Sequence, residues 1–288
     1  MLEAKLTFSI LISLYAGERA DYLRLSLESL RVQTLPPDEV VLVHDGPITP
    51  ELQEVVAEYM EKLPLRPVYI EQNSGLSHAL NAGLKECRNE WVARMDTDDI
   101  SKPHRLAVLA REIHLHPEAD IIGSYARRIN EHGKRGGEIH MPSNHETIRK
   151  YIWTCPMIHP SVCYKKDKIL AVGGYNPDAG PRQDDYELWF RCAKAGYVFH
   201  NVPELLIQYR FTRDNIRKNN FRVGLARFKQ GIKGNKMLGF GPVAYIGVFV
   251  PLFRSMLPYP LNVWFQKLLN NINPRHMVEK EEDVNNPG

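Results

Sequence analysis

Residues 91–99, WVARMDTDD, join a short apolar run to three closely spaced aspartates. A run of this kind is typical of a strand buried in a sheet. Two carboxylates at positions i and i+2 after such a strand can point to the same side, where Mg²⁺ or Mn²⁺ finds the oxygen ligands it prefers. The alternative is a solvated acidic turn before a helix that starts near Pro103. The buried strand favours a functional D-x-D site, with Asp96 and Asp98 as candidate metal ligands.

Strands and helices alternate around this stretch through the first 125 residues. Apolar runs predict strands at 6–13, 39–45, 67–72, 91–96 and 120–126. Apolar residues at helical spacing predict helices at 22–33, 52–63, 76–86 and 106–113. This order indicates an α/β fold, with a Rossmann-like, mostly parallel sheet that carries helices on both faces.

Polar residues follow four of the predicted strands, at 13–15, 44–45, 72–73 and 96–99. Since ligands bind beyond the carboxyl ends of parallel strands, these residues predict a nucleotide site at that edge. The usual phosphate-binding loop is missing, because the chain contains no G-x-x-x-x-G-K-[ST] motif. The one G-x-G-x-x-A match, at 239–244, follows a basic stretch rather than a strand, and we interpret it as a coincidence.

The charge of the chain is unevenly distributed. Its 288 residues include 37 Lys and Arg against 34 Asp and Glu, for a net charge of +3, in a composition that excludes collagen-like and disordered classes. Residues 210–236 hold nine basic residues and one acid, a net of +8, so the rest carries −5. The uncharged segment 237–253 follows. It predicts contact with an anionic membrane surface, a short membrane span or a buried helix pair.

Four stretches resemble family 2 glycosyltransferases, the inverting enzymes of the GT-A fold, and especially those of bacterial exopolysaccharide and lipopolysaccharide assembly. They are SILISLY (9–15), EVVLVHDGP (39–47), the run 73–106, and the HPSVCYKK, VGGYN and QDDYELWF motifs between 159 and 190. Their order and spacing agree with the family. The resemblance implies a GT-A glycosyltransferase domain over 1–210 and leaves 211–288 as a C-terminal appendage.

The resemblance also implies roles for individual residues. Asp185 would be the general base that takes the proton of an acceptor hydroxyl, and Asp184 is the second candidate. A helix N-terminal cap is the structural alternative for this pair. Asp98 would contact the metal, Asp96 would bind metal and ribose together, and Asp99 would orient the loop. The nucleotide contacts implied by the family pattern are Ser13, Tyr15, Asp45, Asn73 and Asp96.

Together these features predict inverting, metal-dependent transfer of a sugar from a nucleoside diphosphate sugar, with a UDP-sugar favoured, to a glycan or lipid-linked glycan. The appendage predicts helices in peripheral contact with the membrane and a flexible tail from about residue 274. The four cysteines are scattered without a C-x-x-C pair, which indicates a reducing compartment. We therefore expect a cytoplasmic protein at the inner face of the cytoplasmic membrane, with no nucleic acid partner.

Two other functions stay open at this point. A protein that binds anionic polymers, nucleic acid or lipid, would use the basic 210–236 segment. A sugar-nucleotide pyrophosphorylase would share the sheet and the metal chemistry. It also requires a glycine-rich N-terminal loop, which LISLYAGERAD (11–21) lacks.

Overall fold

The computed structural model describes residues 6–212 and 220–257 together with residue 261. Its strands are β1 (Phe8–Leu14), β2 (Glu39–Asp45), β3 (Leu65–Ile70), β4 (Trp91–Met95), β5 (Ile100–Ser101), β6 (Ile121–Ile129), β7 (Arg135–Ile139), β8 (Cys163–Lys165) and β9 (Phe199–Arg210). Its α-helices are α1 (Ala20–Arg31), α2 (Pro50–Met60), α3 (Leu76–Glu86), α4 (Arg105–Leu115), α5 (His145–Lys150), α6 (Lys166–Ala171), α7 (Asp184–Lys194), α8 (Phe221–Leu238) and α9 (Pro242–Met256).

The strands form one sheet in the order β3-β2-β1-β4-β8-β6-β9-β5, and β7 pairs with β6. The pairs β1–β2, β1–β4 and β2–β3 are parallel. Along β1, Ile10 and Ile12 pack into one core with α1, α2 and α4, whereas Leu11 packs into a second core with α3 and α7. Both faces are buried, which is why the strand sequence reads as a continuous apolar run. The predicted α/β fold is confirmed.

Beyond β4 the sheet is mixed. The three-residue strand β8 runs antiparallel to both β4 and β6, whereas β6 and β9 are parallel. The two-residue strand β5 is antiparallel to β9, with Ile100 opposite Gln208. Such short strands leave no periodic signal in the sequence. The β5–β9 pair matters for the site, because β5 starts directly after the D-x-D aspartates.

The C-terminal helices α8 and α9 form a hairpin against α7. The turn between them holds Gly239, which ends α8 in a left-handed conformation (φ 70°), and Gly241, which precedes the first residue of α9. The G-x-G-x-x-A match therefore covers this turn and the first residues of α9, in agreement with its interpretation as a coincidence. At Gly231 a Cβ atom would lie 2.6 Å from Val248 Cγ1 and 2.9 Å from the Tyr186 hydroxyl, so α8 touches both neighbours there.

The uncharged segment 237–253 is thus divided between the end of α8, the turn and α9. In the described part of the chain, no helix has the combination of length and apolar character that a membrane span needs. The predicted flexible tail lies outside the described residues, and the division of the chain at residue 210 stays a prediction. All four cysteines are free and buried.

Candidate active site

The D-x-D loop begins where β4 ends. Asp96 is half-buried. Its carboxylate forms an ion pair with the Arg94 guanidinium at 2.5 Å, and the Arg94 side chain is 2% exposed. Because side chains two residues apart on a strand point to the same face, the two groups meet directly. A buried cation so close to one carboxylate oxygen fixes the direction of Asp96 and offsets part of its charge.

Asp98 and Asp99 add two further carboxylates to this loop. Burial, followed by the charges of Asp96 and Glu18, raises the pKa of Asp98 to about 7. Asp99 is fully buried, and burial with its two acidic neighbours raises its pKa well above the ordinary value. Its Oδ1 accepts the Arg210 backbone N–H at 2.7 Å, and the Arg210 guanidinium donates to the Asp98 carbonyl at 2.8 Å. Arg210, at the end of β9, therefore fixes the D-x-D loop through these two hydrogen bonds.

The aspartate cluster has the donor set that a hard divalent cation requires. One carboxylate oxygen from each of Asp96, Asp98 and Asp99 lies within 4.8 Å of the others. Three carboxylates this close repel one another, and a divalent cation would relieve the repulsion. An all-oxygen set fits Mg²⁺ or Mn²⁺ rather than a softer metal.

The second acidic pair stands at the start of α7. The residue preceding the helix is Gln183, without a side-chain cap, so Asp184 and Asp185 lie in the first turn rather than at the cap position. Asp184 accepts a hydrogen bond from the Ser77 hydroxyl. Asp185 is half-buried, with Oδ1 accepting the Tyr186 N–H at 2.8 Å and Oδ2 facing the Cys155 thiol at 3.6 Å.

The electrostatics of Asp185 are those of a carboxylate removed from water. Burial raises the pKa of Asp185, and the neighbouring Asp184 adds to the effect. The guanidinium of Arg227, on α8, acts in the opposite direction, as Arg94 does more weakly. Arg227 is held in place, because its Nη2 donates to the Thr154 carbonyl at 3.1 Å and its guanidinium carbon lies 4.7 Å from the centre of the Tyr186 ring.

Both acidic groups face one cavity of about 1080 Å³. Its wall includes Asp96 and Arg94 as well as Asp184 and Asp185. Further parts of the wall come from the start of α3, the 3-10 turn at His159–Ser161, and the hairpin α8–α9. The structure therefore brings the D-x-D loop and the α7 acids to a common space, although 88 residues of sequence separate Asp96 from Asp184.

Four of the predicted nucleotide contacts do not line this cavity within the described chain. Ser13 and Tyr15 lie at the end of β1, where Tyr15 is 37% exposed. The parallel pairing of β1 with β4 sets Ile12 opposite Met95, so the end of β1 lies beside the start of the D-x-D loop. Burial, with the charges of Glu18 and Asp98, raises the pKa of Tyr15. The edge formed by the ends of β1 and β2 is thus continuous with the aspartate cluster.

Asp45 and Asn73 lie at the end of β2 and in the loop before α3. The two Asp45 carboxylate oxygens accept the backbone N–H groups of Ser74 at 2.7 Å and Gly75 at 3.0 Å. Gly75 precedes the first residue of α3 and has a φ of 91°, which glycine adopts without strain. Asp45 therefore orders this loop, and Asn73 is exposed with its amide donating to the Asp45 carbonyl at 3.3 Å. A base contact by Asp45 stays a prediction.

Comparison with known proteins gives the family. Residues 9–171 match the model of glycosyl transferase family 2. The chain belongs to this family. An uncharacterized glycosyltransferase of Haemophilus influenzae is 38% identical over 79% of the chain and 87% of its own length. The amylovoran biosynthesis glycosyltransferase AmsE of Erwinia amylovora is 39% identical over 73% of the chain and 79% of its own.

This family 2 glycosyltransferase also has structural neighbours of the GT-A fold. Crystal structures of S. aureus TarS superpose with a TM-score of 0.65 at 18% identity, covering 87% of this chain and 71% of TarS 1–349. The mannosyltransferase PcManGT of Pyrobaculum calidifontis, in complex with GDP-Man and Mn²⁺, superposes with a TM-score of 0.61 at 17% identity, covering 90% of this chain and 72% of that one. At these identities the likeness supports the fold.

Several residues of the site were missed from the sequence. Arg94 had a signal, since a charged residue inside the buried run WVARM is rarely there without a partner. Arg227 and Arg210 had none, because each acts on residues at least 40 positions away in the chain. On α3, the Asn81 amide holds the Tyr175 backbone at both its N–H and its carbonyl, at 2.8 and 2.7 Å.

Proposed function

We propose that this enzyme transfers a sugar, with inversion, from a nucleoside diphosphate sugar to a hydroxyl group of an acceptor. The observation that carries the proposal is the shared cavity, whose wall includes both Asp96 of the D-x-D loop and Asp185. Inversion requires the acceptor oxygen to approach the anomeric carbon from the face opposite the departing diphosphate. Two acidic groups at separate positions of one cavity suit those two tasks.

Asp185 is the proposed general base. Its raised pKa makes it a better proton acceptor than an ordinary aspartate, and the charge of Arg227 limits how far that pKa rises. Asp184 is engaged by the Ser77 hydroxyl, which supports a positioning role for it. Asp185 would take the proton of the acceptor hydroxyl as that oxygen forms its bond to the anomeric carbon.

Asp96 and Asp98 are the proposed metal ligands, and Asp99 the residue that fixes their loop. A bound Mg²⁺ or Mn²⁺ would stabilise the charge that develops on the leaving diphosphate. The chain itself orients Asp96 through Arg94 and holds the loop through Arg210. These contacts keep the aspartates in position before substrate binds, which reduces the reorganisation needed on binding.

The donor is proposed to be a UDP-sugar, bound along the edge formed by Ser13, Tyr15, Asp45, Asn73 and Asp96. The E. coli relative, 29% identical over 73% of this chain, is named a UDP-Gal:α-D-GlcNAc-diphosphoundecaprenol β-1,3-galactosyltransferase. TarS has been crystallised with UDP-GlcNAc. The bound GDP-Man of PcManGT keeps a guanosine donor as the alternative outcome of a nucleotide screen.

The acceptor is proposed to be a lipid-linked glycan at the inner face of the cytoplasmic membrane. Helix α9 exposes one apolar face, formed by Val243, Ile246, Phe249, Phe253 and Met256. Helix α8 exposes a basic face, formed by Arg222, Lys229, Lys233 and Lys236. An apolar face next to a basic one suits an anionic bilayer surface, where both contributions to binding add. This combination favours a membrane over a nucleic acid as the partner of the basic segment.

The site assignment is tested by replacing Asp98 and Asp185 with alanine, one at a time, and measuring sugar transfer and the anomeric configuration of the product by NMR. Loss of a general base typically costs 10²–10⁴-fold in rate. The matched control is Asp167→Ala, which removes an exposed first-turn aspartate from α6, outside the cavity. Transfer that survives both site substitutions would show that these residues do not carry the reaction. Retained anomeric configuration would exclude inversion.

Membrane contact is tested by flotation with vesicles that contain or lack anionic lipid. Replacing Ile246 and Phe249 with serine should reduce flotation while leaving binding of UDP with Mn²⁺ unchanged. Equal binding of the protein to RNA and to vesicles over a salt series would instead support a general anionic-polymer site.

A further inference from the structure

The C-terminal hairpin forms part of the cavity wall and contributes positive charge to it. Arg227 on α8 and Arg254 on α9 both line it. Gly224 lines the same wall, and a Cβ there would lie 2.6 Å from Ser255 Oγ, so the two helices are in contact at this point. The two arginines therefore belong to facing stretches of an antiparallel pair, close to the cavity.

Both guanidinium groups are partly withdrawn from water. Arg227 is half-buried between the Thr154 carbonyl and the Tyr186 ring. Arg254 is half-buried at the end of a helix that is otherwise apolar between Pro242 and Phe253, and burial lowers its pKa. A guanidinium that is partly shielded from water interacts more strongly with an anionic ligand than a fully exposed one does.

The residues next to Arg227 and Arg254 indicate which ligand would reach the two guanidinium groups. Arg227 lines the same cavity as Asp185, the proposed base for the acceptor hydroxyl, and it lowers the pKa of that carboxylate. Asp96 of the D-x-D loop, where the donor diphosphate would bind, lines the same cavity. The hairpin also carries the exposed apolar face of α9, which would direct this part of the cavity wall towards a membrane.

We propose that Arg227 and Arg254 bind the phosphate or diphosphate through which the acceptor glycan is attached to its lipid. This inference rests on the proposed function and adds an anion subsite on the C-terminal hairpin, separate from the donor site. Guanidinium groups suit the task because they donate two parallel hydrogen bonds to phosphate oxygens and stay charged when partly buried. The hairpin would then recognise the anionic head of the acceptor as well as the membrane that holds it.

The test measures binding of farnesyl diphosphate and of farnesol, its neutral counterpart, by calorimetry without membranes. UDP and Mn²⁺ are present at saturating concentrations, so that the donor site is occupied. The expected result is at least tenfold tighter binding of the diphosphate than of the alcohol. Arg227→Gln and Arg254→Gln should each weaken diphosphate binding about tenfold and leave farnesol binding unchanged. The matched control, Lys229→Gln, removes an exposed charge from α8 outside the cavity and should change neither.

Three outcomes would overturn the proposal. Equal binding of both probes by the wild-type protein would show that no anion subsite exists, a result that needs no variant to fold. Weaker binding of UDP with Mn²⁺ in the arginine variants would assign these residues to the donor, which leaves the proposed sugar transfer standing. Loss of binding to anionic vesicles with unchanged farnesyl diphosphate binding would assign them to lipid head groups. Failure of the wild-type protein to bind UDP at all would instead count against the proposed function.

Discussion

The contact of α8 with α7 and α9 can be tested at a single glycine. In an exposed helix, Gly→Ala would stabilise by up to about 1 kcal/mol. At Gly231 the added Cβ would lie 2.6 Å from Val248 Cγ1 and 2.9 Å from the Tyr186 hydroxyl. Neither side chain can move away easily. Val248 is 2% exposed, and the Tyr186 hydroxyl donates a 2.7 Å hydrogen bond to the Trp153 carbonyl.

Overpacking of this kind costs roughly 1–3 kcal/mol, so it should exceed the gain in helix propensity. We expect Gly231→Ala to lower the free energy of unfolding by about 1–2 kcal/mol. For a chain of this size the melting temperature should fall by roughly 2–8 °C. Because Arg227 lies one turn away on α8, binding of farnesyl diphosphate should weaken as well.

The assay is thermal denaturation followed by circular dichroism, with urea denaturation for the free energy. Val248→Ala should relieve part of the overlap, so the double variant should be more stable than the sum of the single changes predicts, by about 0.5 kcal/mol or more. Lys233→Ala, on the exposed side of the same helix, is the control and should change stability by less than about 0.5 kcal/mol. A rise in melting temperature for Gly231→Ala would refute the packing of α8 against α7.

Three further outcomes follow from the site. Asp185→Asn should abolish transfer yet raise the melting temperature at pH 7.5. The raised pKa means that ionising this carboxylate destabilises the folded protein above that pKa, so the advantage of the variant should shrink as the pH falls and Asp185 becomes protonated. Arg227→Met should shift the acidic limb of kcat/KM to higher pH, because the guanidinium holds the pKa of Asp185 down. Mn²⁺ with UDP, each at 100 times its Kd, should stabilise the protein by at least ~2.7 kcal/mol in a thermal shift assay, and Asp98→Asn should remove the part that depends on Mn²⁺.

The first half of the fold could be predicted because its information is local. Parallel strands buried on both faces give continuous apolar runs, and the helices between them give a period of 3.6 residues. The predicted strand 39–45 agrees with β2 residue for residue, as the helix 76–86 does with α3. The D-x-D cluster was recognisable for the same reason, since its aspartates follow a strand of this kind.

The rest depends on contacts that no local pattern encodes. Strands β5 and β8 have two and three residues, and they exist only because β9, β4 and β6 offer them hydrogen bonds. The uncharged segment 237–253 leaves a membrane-surface segment, a span and a helix pair open, and the turn at Gly239 divides it between two helices. The glycines of α8, at 224, 231 and 234, were an unused signal of close helix packing.

The Arg210 contact has a consequence for how the enzyme can be made. The family match ends at residue 171, yet the D-x-D loop is completed by β9, through Arg210 and through the Leu206 carbonyl, which accepts the Lys102 N–H at 2.9 Å. During synthesis the D-x-D loop therefore cannot form its contacts with β9 until more than 100 further residues have left the ribosome. A fragment cut at the family boundary would keep all three aspartates in its sequence and lose the strand that holds them together.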